Sequence, residues 1–447
     1  MGKLFGTDGV RGVANRDLTA ELAMQIGRAT GMVVKNAAGR RPSVLVGKDT
    51  RISSDLLEAA LTAGLCAAGA DVVRLGVIPT PAVAYLVTRY GADAGVMLSA
   101  SHNPYEYNGI KVFNAQGYKL PDASEEEIER LVLGQEPFDP PALGAEIGRV
   151  SSREAQAAED YAAYLRSTLP GGLEGLRVAL DCANGSASVT AGRVFQALGA
   201  ECEILHASPN GVNINDRCGS THLESLRQAV VAGGFDVGLA FDGDADRCLA
   251  VDERGGLVDG DRLMALFAAH LQRQGKLPHD TFVATVMSNL GLFKFAEAYH
   301  LHTRSAQVGD RYVLETMLQE DFWLGGEQSG HIIFREFMTT GDGQLSGLQL
   351  LGLMKEQGKP LSQLAAVMQV YPQTLVNIHA TPARKAAFAQ DERVRQAIDA
   401  ASRQLGDNGR VLVRPSGTEP LIRVMVEGRE LEEIEGIARE LAQVIEG

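Results

Sequence analysis

A chain of 447 residues with 45% hydrophobic and 22% charged content has the composition of an ordinary globular protein, long enough for several hydrophobic cores. Its formal charge of −14 excludes a sequence-independent nucleic-acid binder, which needs a net basic face to displace phosphate counterions, although local basic residues can still hold a phosphate. The five cysteines, Cys66, Cys182, Cys202, Cys218 and Cys248, are odd in number and lack CxxC spacing, so they read as reduced thiols of a cytoplasmic protein rather than a disulfide framework or a zinc set.

The opening MGKLFGTDGV has no apolar segment of signal-peptide length, and no later stretch is long and apolar enough to span a bilayer; no membrane partner is expected. Residues 3 to 12, KLFGTDGVRG, read as a glycine-rich loop ending in Arg11, which is either an anion donor beside a ligand or a surface arginine in a turn. Leu18 to Val34 carry apolar residues at helical spacing. Ser43 to Val46 predicts a strand that empties into GKDTRISS, followed by a helix over Asp55 to Leu65. The same order of strand, polar loop and helix recurs at Arg177 to Leu180 with DCANGSAS and at Phe282 to Val286 with MSNLGLF, which suggests related α/β domains.

Residues 95 to 120, GVMLSASHNPYEYNGIKVFNAQGYKL, present a short buried strand at Val96 to Leu98 and then a polar loop punctuated by Pro104, Asn108 and Gly109. Ser99, Ser101, His102 and Lys111 therefore fall where a strand empties into a loop, the usual ligand-binding end of an α/β sheet. Two readings compete: turn serines beside a satisfied histidine, or one serine acting as a nucleophile. The run SEEEIER from Ser124 predicts a capped helix with a solvated acidic face, and the Pro- and Gly-rich stretch from Pro137 to Gly148 marks a nearby domain boundary.

In FDVGLAFDGDADRCLAVD, residues 235 to 252, apolar runs at Val237 to Phe241 and Cys248 to Val251 leave Asp242, Asp244 and Asp246 in the loop between two strands. Three carboxylates at alternate positions repel one another unless a cation lies among them, and hard oxygen ligands favour Mg²⁺ or Ca²⁺. An EF-hand, with Glu253 at its twelfth position, is disfavoured because Arg247 occupies the sixth position, where the turn demands glycine. Further on, VGDRYV at 308 to 313 precedes GGEQSGHIIF, in which Glu327, Ser329 and His331 alternate and, if the segment is extended, project to one side as sugar-hydroxyl partners. Finally, β-rich runs bracket RPSGTEP, where Arg414, Ser416, the backbone of Gly417, Thr418 and Arg423 can form a phosphate cradle; the bland alternative is a hairpin turn. The chain closes with an amphipathic helix on Leu431, Ile434, Ala438, Leu441 and Ile445.

A serine loop, a carboxylate loop, a sugar-type loop and a phosphate cradle together suggest phosphoryl transfer on a phosphosugar, and the absence of a Walker A sequence argues against a P-loop kinase. SASHNP, DGDADR, GEQSGH and RPSGTEP, in this order, resemble the four signatures of the α-D-phosphohexomutase superfamily. FGTDGVRG, NINDRCGSTH at 213 to 222, VMSNLGL at 286 to 292 and the GEQSGH form are similar to its branch acting on glucosamine phosphates.

The resemblance implies three similar α/β domains with mixed sheets (1–152, 153–253 and 254–368) and a smaller α+β C-terminal domain (369–447) around a central cleft. It implies a bacterial isomerase interconverting glucosamine 6-phosphate and glucosamine 1-phosphate through a 1,6-bisphosphate, on the route to UDP-N-acetylglucosamine. Ser101 matches the serine that becomes phosphorylated, and one Mg²⁺ per chain would be held by phospho-Ser101, Asp242, Asp244 and Asp246. Lys111, Arg11, Arg247 and His331 match positions near the transferring group. Glu327 and Ser329 would hold sugar hydroxyls, while Arg414, Ser416, Gly417, Thr418 and Arg423 would hold the other phosphate. The resemblance also favours a homodimer, with first phosphorylation of Ser101 by an activating kinase or by autophosphorylation. A phosphoglucomutase or phosphomannomutase, a catalytically silent phosphosugar binder and a metal-dependent phosphatase are the competing functions.

Overall fold

The computed structural model describes residues 4–6, 8–388, 390–415 and 420–446. The chain divides into two compact units, Met1–Val286 with His302–Ala366, and Met287–Leu301 with Val367–Gly447.

The first unit carries three sheets. The first comprises β1 (Val10–Val13), β2 (Ser43–Lys48), β3 (Asp71–Val77), β4 (Ala94–Leu98), β5 (Tyr107–Asn114) and β6 (Val150–Ser152), in the order β1-β5-β4-β2-β3-β6. Strand β2 runs parallel to β3 and β4, whereas β5 is antiparallel to β4 and β1, so the sheet is mixed. All five residues of β4 are buried, as a continuous apolar run covered on both faces requires. On one face lie α1 (Ala20–Ala38) and α2 (Ile52–Ala67), whose Ile26, Ala29, Leu57 and Leu61 join Val44, Val46, Val96 and Leu98 in one core.

Helix α1 starts at Thr19, whose hydroxyl accepts from Leu22 N at 3.2 Å, and stops at Gly39 with φ 65°. The two helices cross at glycines: a Cβ at Gly27 would lie 2.3 Å from Leu61 O, and one at Gly64 would lie 2.0 Å from Met24 O. On the other face, α3 (Thr80–Tyr90) sets Val83 and Val87 over Gly47 and Gly95.

Three local expectations are corrected here. Residues 10 to 12, the end of the expected glycine loop, belong to β1, with Arg11 opposite Gly109. Asn108, Gly109 and Lys111 lie inside β5 rather than in a loop, because the buried Asn108 amide donates to Ser53 Oγ and Ser54 Oγ at 2.9 and 3.1 Å; tertiary partners override its turn preference. Helix α4 (Asp122–Val132) begins after Pro121 without a side-chain cap, and its Glu125 is buried 2.9 Å from Arg311 instead of facing solvent.

The second sheet, β7 (Arg177–Asp181), β8 (Glu201–Leu205), β9 (Val237–Phe241), β10 (Cys248–Asp252) and β11 (Leu257–Val258), is ordered β11-β10-β9-β7-β8. Strands β9 and β10 pair antiparallel with Phe241 opposite Cys248, which closes residues 242 to 247 into their connecting loop. The third sheet holds β12 (Thr281–Thr285), β13 (His302–Ala306), β14 (Leu324–Gly326) and β15 (Ile332–Phe334), in the order β13-β12-β14-β15.

In the second unit, β16 (Gln373–His379), β17 (Arg410–Pro415) and β18 (Leu421–Glu427) form an antiparallel sheet ordered β16-β18-β17. Ile378, Ile422, Val424 and Val426 pack with Ile434, Ala438, Leu441 and Ile445 of the closing helix Leu431–Glu446. Leu431 departs from the expected apolar stripe and is 52% exposed. The architecture is thus three mixed-sheet α/β domains and a smaller α+β one. All five cysteines are free thiols, and no helix among the described residues is long and apolar enough to cross a membrane.

Candidate active site

Ser101 follows β4 by three residues and adopts a left-handed backbone with φ 51°. Its hydroxyl is buried and donates to Asp242 Oδ2 at 2.6 Å. Ser99 does something different: its hydroxyl accepts from Ser101 N at 2.9 Å and donates to the buried Asp49 Oδ2 at 2.6 Å. The two serines of the loop therefore separate into one that faces the carboxylates and one that holds backbone.

The β9–β10 loop presents Asp242, Asp244 and Asp246, all buried, with carboxylate oxygens within 4.8 Å of one another. Asp242 Oδ1 accepts from Arg247 N at 3.2 Å. Asp244 Oδ2 accepts from Thr80 Oγ1 at 2.6 Å and Lys111 Nζ at 2.9 Å, and Asp246 Oδ2 lies 3.6 Å from both Lys111 Nζ and His331 Nδ1. Asp244 Oδ1 and Asp246 Oδ1 are buried without a hydrogen-bond partner. Carboxylate oxygens left bare in this way fit a hard divalent cation, whose binding would satisfy them. The EF-hand alternative fails: antiparallel strands flank the loop, and Glu253 instead accepts from Ser362 N at 3.1 Å.

Around the carboxylates the charges alternate in a closed ring. Asp8 Oδ1 pairs with Lys119 at 2.6 Å, Lys119 with Asp310 at 2.6 Å, Asp310 with His331 at 3.7 Å, His331 with Asp246, Asp246 with Lys111, and Lys111 with Asp8 Oδ2 at 3.1 Å. Burial and the neighbouring Asp246 and Asp244 push Asp242 well above the ordinary carboxylate range. Asp246 goes the other way: burial opposes its charge, but Lys111 and His331 outweigh that and hold it below. Burial likewise opposes the Lys111 ammonium, and Asp244, Asp8 and Asp246 keep it protonated.

Burial pushes His331 down while Asp246, Asp310 and Glu327 raise it, to about 9. Gly341 N lies 3.1 Å from His331 Nε2, so a neutral ring accepts there and keeps its hydrogen on Nδ1 facing Asp246, whereas the protonated ring gives up that hydrogen bond. Burial, then Arg247 and Arg11, lower His102 to about 4; its Nδ1 lies 3.1 Å from Arg247 and 3.4 Å from Ser101 Oγ.

Ser101, the three aspartates, Lys111, Arg247 and His331 are therefore brought together. Arg11 sits one step out, paired with Asp8 and 3.4 Å from Asn103 Oδ1. GEQSGH is a tight turn between β14 and β15, not an extended segment: Gly330 N donates to Glu327 O and Glu327 N to His331 O, each at 3.0 Å. The alternation that suggested one shared face is broken by this turn, which buries His331, fixes Glu327 Oε1 on Gly309 N at 2.9 Å, and leaves the buried Ser329 Oγ without a partner.

In the second unit, the two expected β-rich runs form β17 and β18, paired antiparallel, and Arg414 stands directly opposite Arg423. Burial and Arg423 lower Arg414, whose Nε is buried without a hydrogen-bond partner. Ser416, Gly417 and Thr418 lie outside the described residues. Asp8, Thr80, Lys119 and Asp310 were not singled out in the sequence. Asp8, Lys119 and Asp310 lay within the quoted stretches FGTDGVRG, GVMLSASHNPYEYNGIKVFNAQGYKL and VGDRYV, whereas nothing local marked Thr80.

A hydroxyl bonded to one of three clustered buried carboxylates, ringed by alternating charges and carried on mixed α/β sheets, fits phosphoryl transfer. Comparison with known proteins agrees. Models of the four phosphoglucomutase/phosphomannomutase domains match residues 2–137 (domain I), 159–256 (domain II), 259–371 (domain III) and 375–444 (the C-terminal domain). The chain belongs to the phosphoglucomutase/phosphomannomutase family. It is 56% identical over 447 residues to the phosphoglucosamine mutase of Moorella thermoacetica, covering all of both chains, and 54% identical over 446 residues to that of Acetivibrio thermocellus, covering 100% of this chain and 99% of the relative. A phosphoglucomutase/phosphomannomutase family protein from Burkholderia thailandensis superposes with a TM-score of 0.83 at 26% identity, over 98% of this chain and 97% of that one. The fold is shared as well with Aspergillus fumigatus N-acetylphosphoglucosamine mutase in complex with GlcNAc-6P and magnesium, at a TM-score of 0.71 and 18% identity, over 99% and 95% of the respective chains.

Proposed function

We propose that the chain interconverts glucosamine 6-phosphate and glucosamine 1-phosphate, with Ser101 as phosphoryl carrier and the 1,6-bisphosphate as intermediate. The observation that carries this reading is Ser101 Oγ at 2.6 Å from Asp242 in a loop whose other two carboxylates each keep a buried oxygen without a hydrogen bond. A serine that served only to turn the chain would have no reason to face such a loop.

Asp242, Asp244 and Asp246 would hold one Mg²⁺ together with a phosphoryl oxygen of phospho-Ser101. Bound there, the ion would withdraw charge from the phosphoryl group. A sugar hydroxyl attacks phosphorus, the bond from phosphorus to Ser101 Oγ breaks, and the hydroxyl's proton ends on Oγ. Lys111, fixed against Asp244 and Asp8, compensates charge beside the transferring group, and Arg11, Arg247 and His331 are the other cations available to assist that proton's movement. Glu327 and Ser329 hold sugar hydroxyls, the latter with an oxygen that has no protein partner. Arg414 and Arg423, with Ser416, Gly417 and Thr418, hold the phosphate that is not reacting. Two guanidiniums placed opposite each other repel, and an anion between them relieves that repulsion. The first phosphoryl group on Ser101 comes from a kinase or by autophosphorylation, and thereafter the bisphosphate maintains it.

Peptide mass spectra before and after incubation with glucosamine 1,6-bisphosphate test the carrier. Phosphate on the Ser101 peptide is expected, and its absence in both conditions overturns the reading. Parallel assays on glucosamine 1-phosphate and glucose 1-phosphate test the substrate, with a clear preference for glucose pointing to a phosphoglucomutase. Stoichiometric release of inorganic phosphate would make the protein a phosphatase.

A further inference from the structure

The segment 213 to 222, NINDRCGSTH, supplies none of the groups invoked so far, yet one of its side chains reaches the serine loop. Asn215 Nδ2 donates to Ser101 O at 2.9 Å and to Asn103 O at 3.0 Å. From an earlier segment of the chain, Arg51 Nη2 donates to the same two carbonyls, each at 2.9 Å. The Arg51 guanidinium is fully buried and also donates to Pro104 O, to Tyr107 O at 3.0 Å and to Asp49 Oδ2 at 2.7 Å. Two donors from different domains thus converge on the carbonyls that bracket His102, and both lone pairs of Ser101 O are occupied.

Ser101 needs such restraint. A serine at φ 51° is in a region that costs a non-glycine residue about 1 kcal/mol or more, so the peptide after it tends to relax unless its surroundings over-determine it. Relaxation would swing Ser101 O and move Oγ away from Asp242. Asn215 is anchored firmly enough to prevent this. Its N–H donates to Ala183 O at 2.9 Å, while Asp181, at the end of β7, accepts from Ala183 N and Gly219 N, each at 2.9 Å. The carboxylate loop packs on the same point: a Cβ at Gly243 would lie 2.6 Å from Ser101 O and 2.9 Å from Asn215 Nδ2.

We propose that Asn215 and Arg51 form a two-domain clamp on the Ser101 and Asn103 carbonyls, and are positioning residues that hold Ser101 Oγ in line for phosphoryl transfer. This rests on the reading of Ser101 as the phosphoryl carrier. The clamp bonds backbone carbonyls rather than Ser101 Oγ or the three aspartates, so its loss should lower the transfer rate and leave sugar binding intact. A displacement near 1 Å at a reacting centre can cost about 100-fold in rate.

Asn215→Gly isolates the effect. Asn215 itself has φ 59°, which glycine adopts without strain, so the variant removes the amide while sparing the backbone. With glucosamine 1-phosphate as substrate, kcat is expected to fall roughly 10- to 100-fold with KM within about twofold. In a single turnover, phosphoryl transfer from phosphorylated enzyme to glucosamine 6-phosphate is expected to slow by the same factor. Arg51→Lys keeps the charge but loses the planar fork, and should act in the same direction. Because Arg51→Lys can also impair folding, rates are taken per folded molecule, and Asn215→Gly decides. Unchanged kcat in Asn215→Gly, a loss that only tracks the folded fraction, or a rise in KM alone overturns the clamp. If wild-type Ser101 carries no phosphate, the carrier reading fails and the clamp with it. If it does and Asn215→Gly transfers at the wild-type rate, the clamp alone fails.

Discussion

Lys111 Nζ lies 2.9 Å from Asp244 Oδ2 with both side chains buried, and the same ammonium reaches Asp8 and Asp246. One lysine on β5 therefore offsets three carboxylates drawn from two domains. A single fixed cation cannot fully neutralise the aspartate loop, since Asp242 is pushed well above its ordinary range by burial and the two neighbouring aspartates. A divalent ion bound among the aspartates would supply the missing charge, and Lys111 would stabilise the loop in its absence.

Lys111→Met should therefore separate charge compensation from packing, because methionine fills similar space. Removing one partner of a buried charge network costs about 3–5 kcal/mol. Thermal unfolding in chelator is expected to show a large loss of stability, partly restored by millimolar Mg²⁺, together with a fall in turnover of two orders of magnitude or more. Wild-type stability in chelator would show that Lys111 is not the counter-ion of the empty loop.

The left-handed backbone of Ser101 gives a second test. Ser101→Ala and Ser101→Gly both remove the hydroxyl, so neither should turn over glucosamine 1-phosphate. Alanine resists φ 51° and glycine does not, so the glycine variant should be the more stable of the two by about 1 kcal/mol in urea unfolding. Equal stability would mean that the backbone relaxes once the hydroxyl is gone.

What was legible in the sequence was local. The apolar run of β4 and the alternate aspartates between β9 and β10 announce themselves within a dozen residues, because burial and charge repulsion act on near neighbours. Contacts between segments left little trace. Thr80 meets Asp244 and Asn215 meets Ser101 across more than a hundred residues, and neither carries a chemistry-bearing pattern of its own. The GEQSGH turn misled for a related reason. Alternation of polar residues suits a strand, but the hydrogen bond from Glu327 N to His331 O folds the segment back on itself. Asn108 and Gly109 read as loop residues until the hydroxyls of Ser53 and Ser54 supply a buried partner for the amide.

Thr80, at the start of α3, donates its hydroxyl to Asp244 Oδ2 at 2.6 Å, and Asp244 Oδ1 is left buried without a hydrogen bond. Partners of this kind orient ligands, and their loss typically weakens metal affinity 10- to 100-fold. Thr80→Val should raise the Mg²⁺ concentration for half-maximal activity roughly tenfold, and Thr80→Ser should restore it to within about twofold. Equal Mg²⁺ requirements in all three proteins would remove Thr80 from the metal site.

Asp342 gives the pH dependence a sign. It caps the helix Gly343–Gln357 by accepting from Leu345 N at 2.9 Å, and it accepts from Tyr161 OH at 2.7 Å; burial nevertheless raises it from 3.8 to about 6. A carboxyl whose folded value lies above its unfolded value binds its proton more tightly in the folded state. Its contribution is fully present below about pH 4 and is lost as pH rises through 6, amounting to about 2–3 kcal/mol for a shift near two units. Asn at this position can still accept from Leu345 N and meet Tyr161, but it does not ionise. At fixed Mg²⁺, urea unfolding at a series of pH values should therefore show Asp342→Asn gaining on wild type between pH 4 and pH 7 by that amount. A constant difference across the range would mean that Asp342 ionises as freely in the folded chain as in the unfolded one.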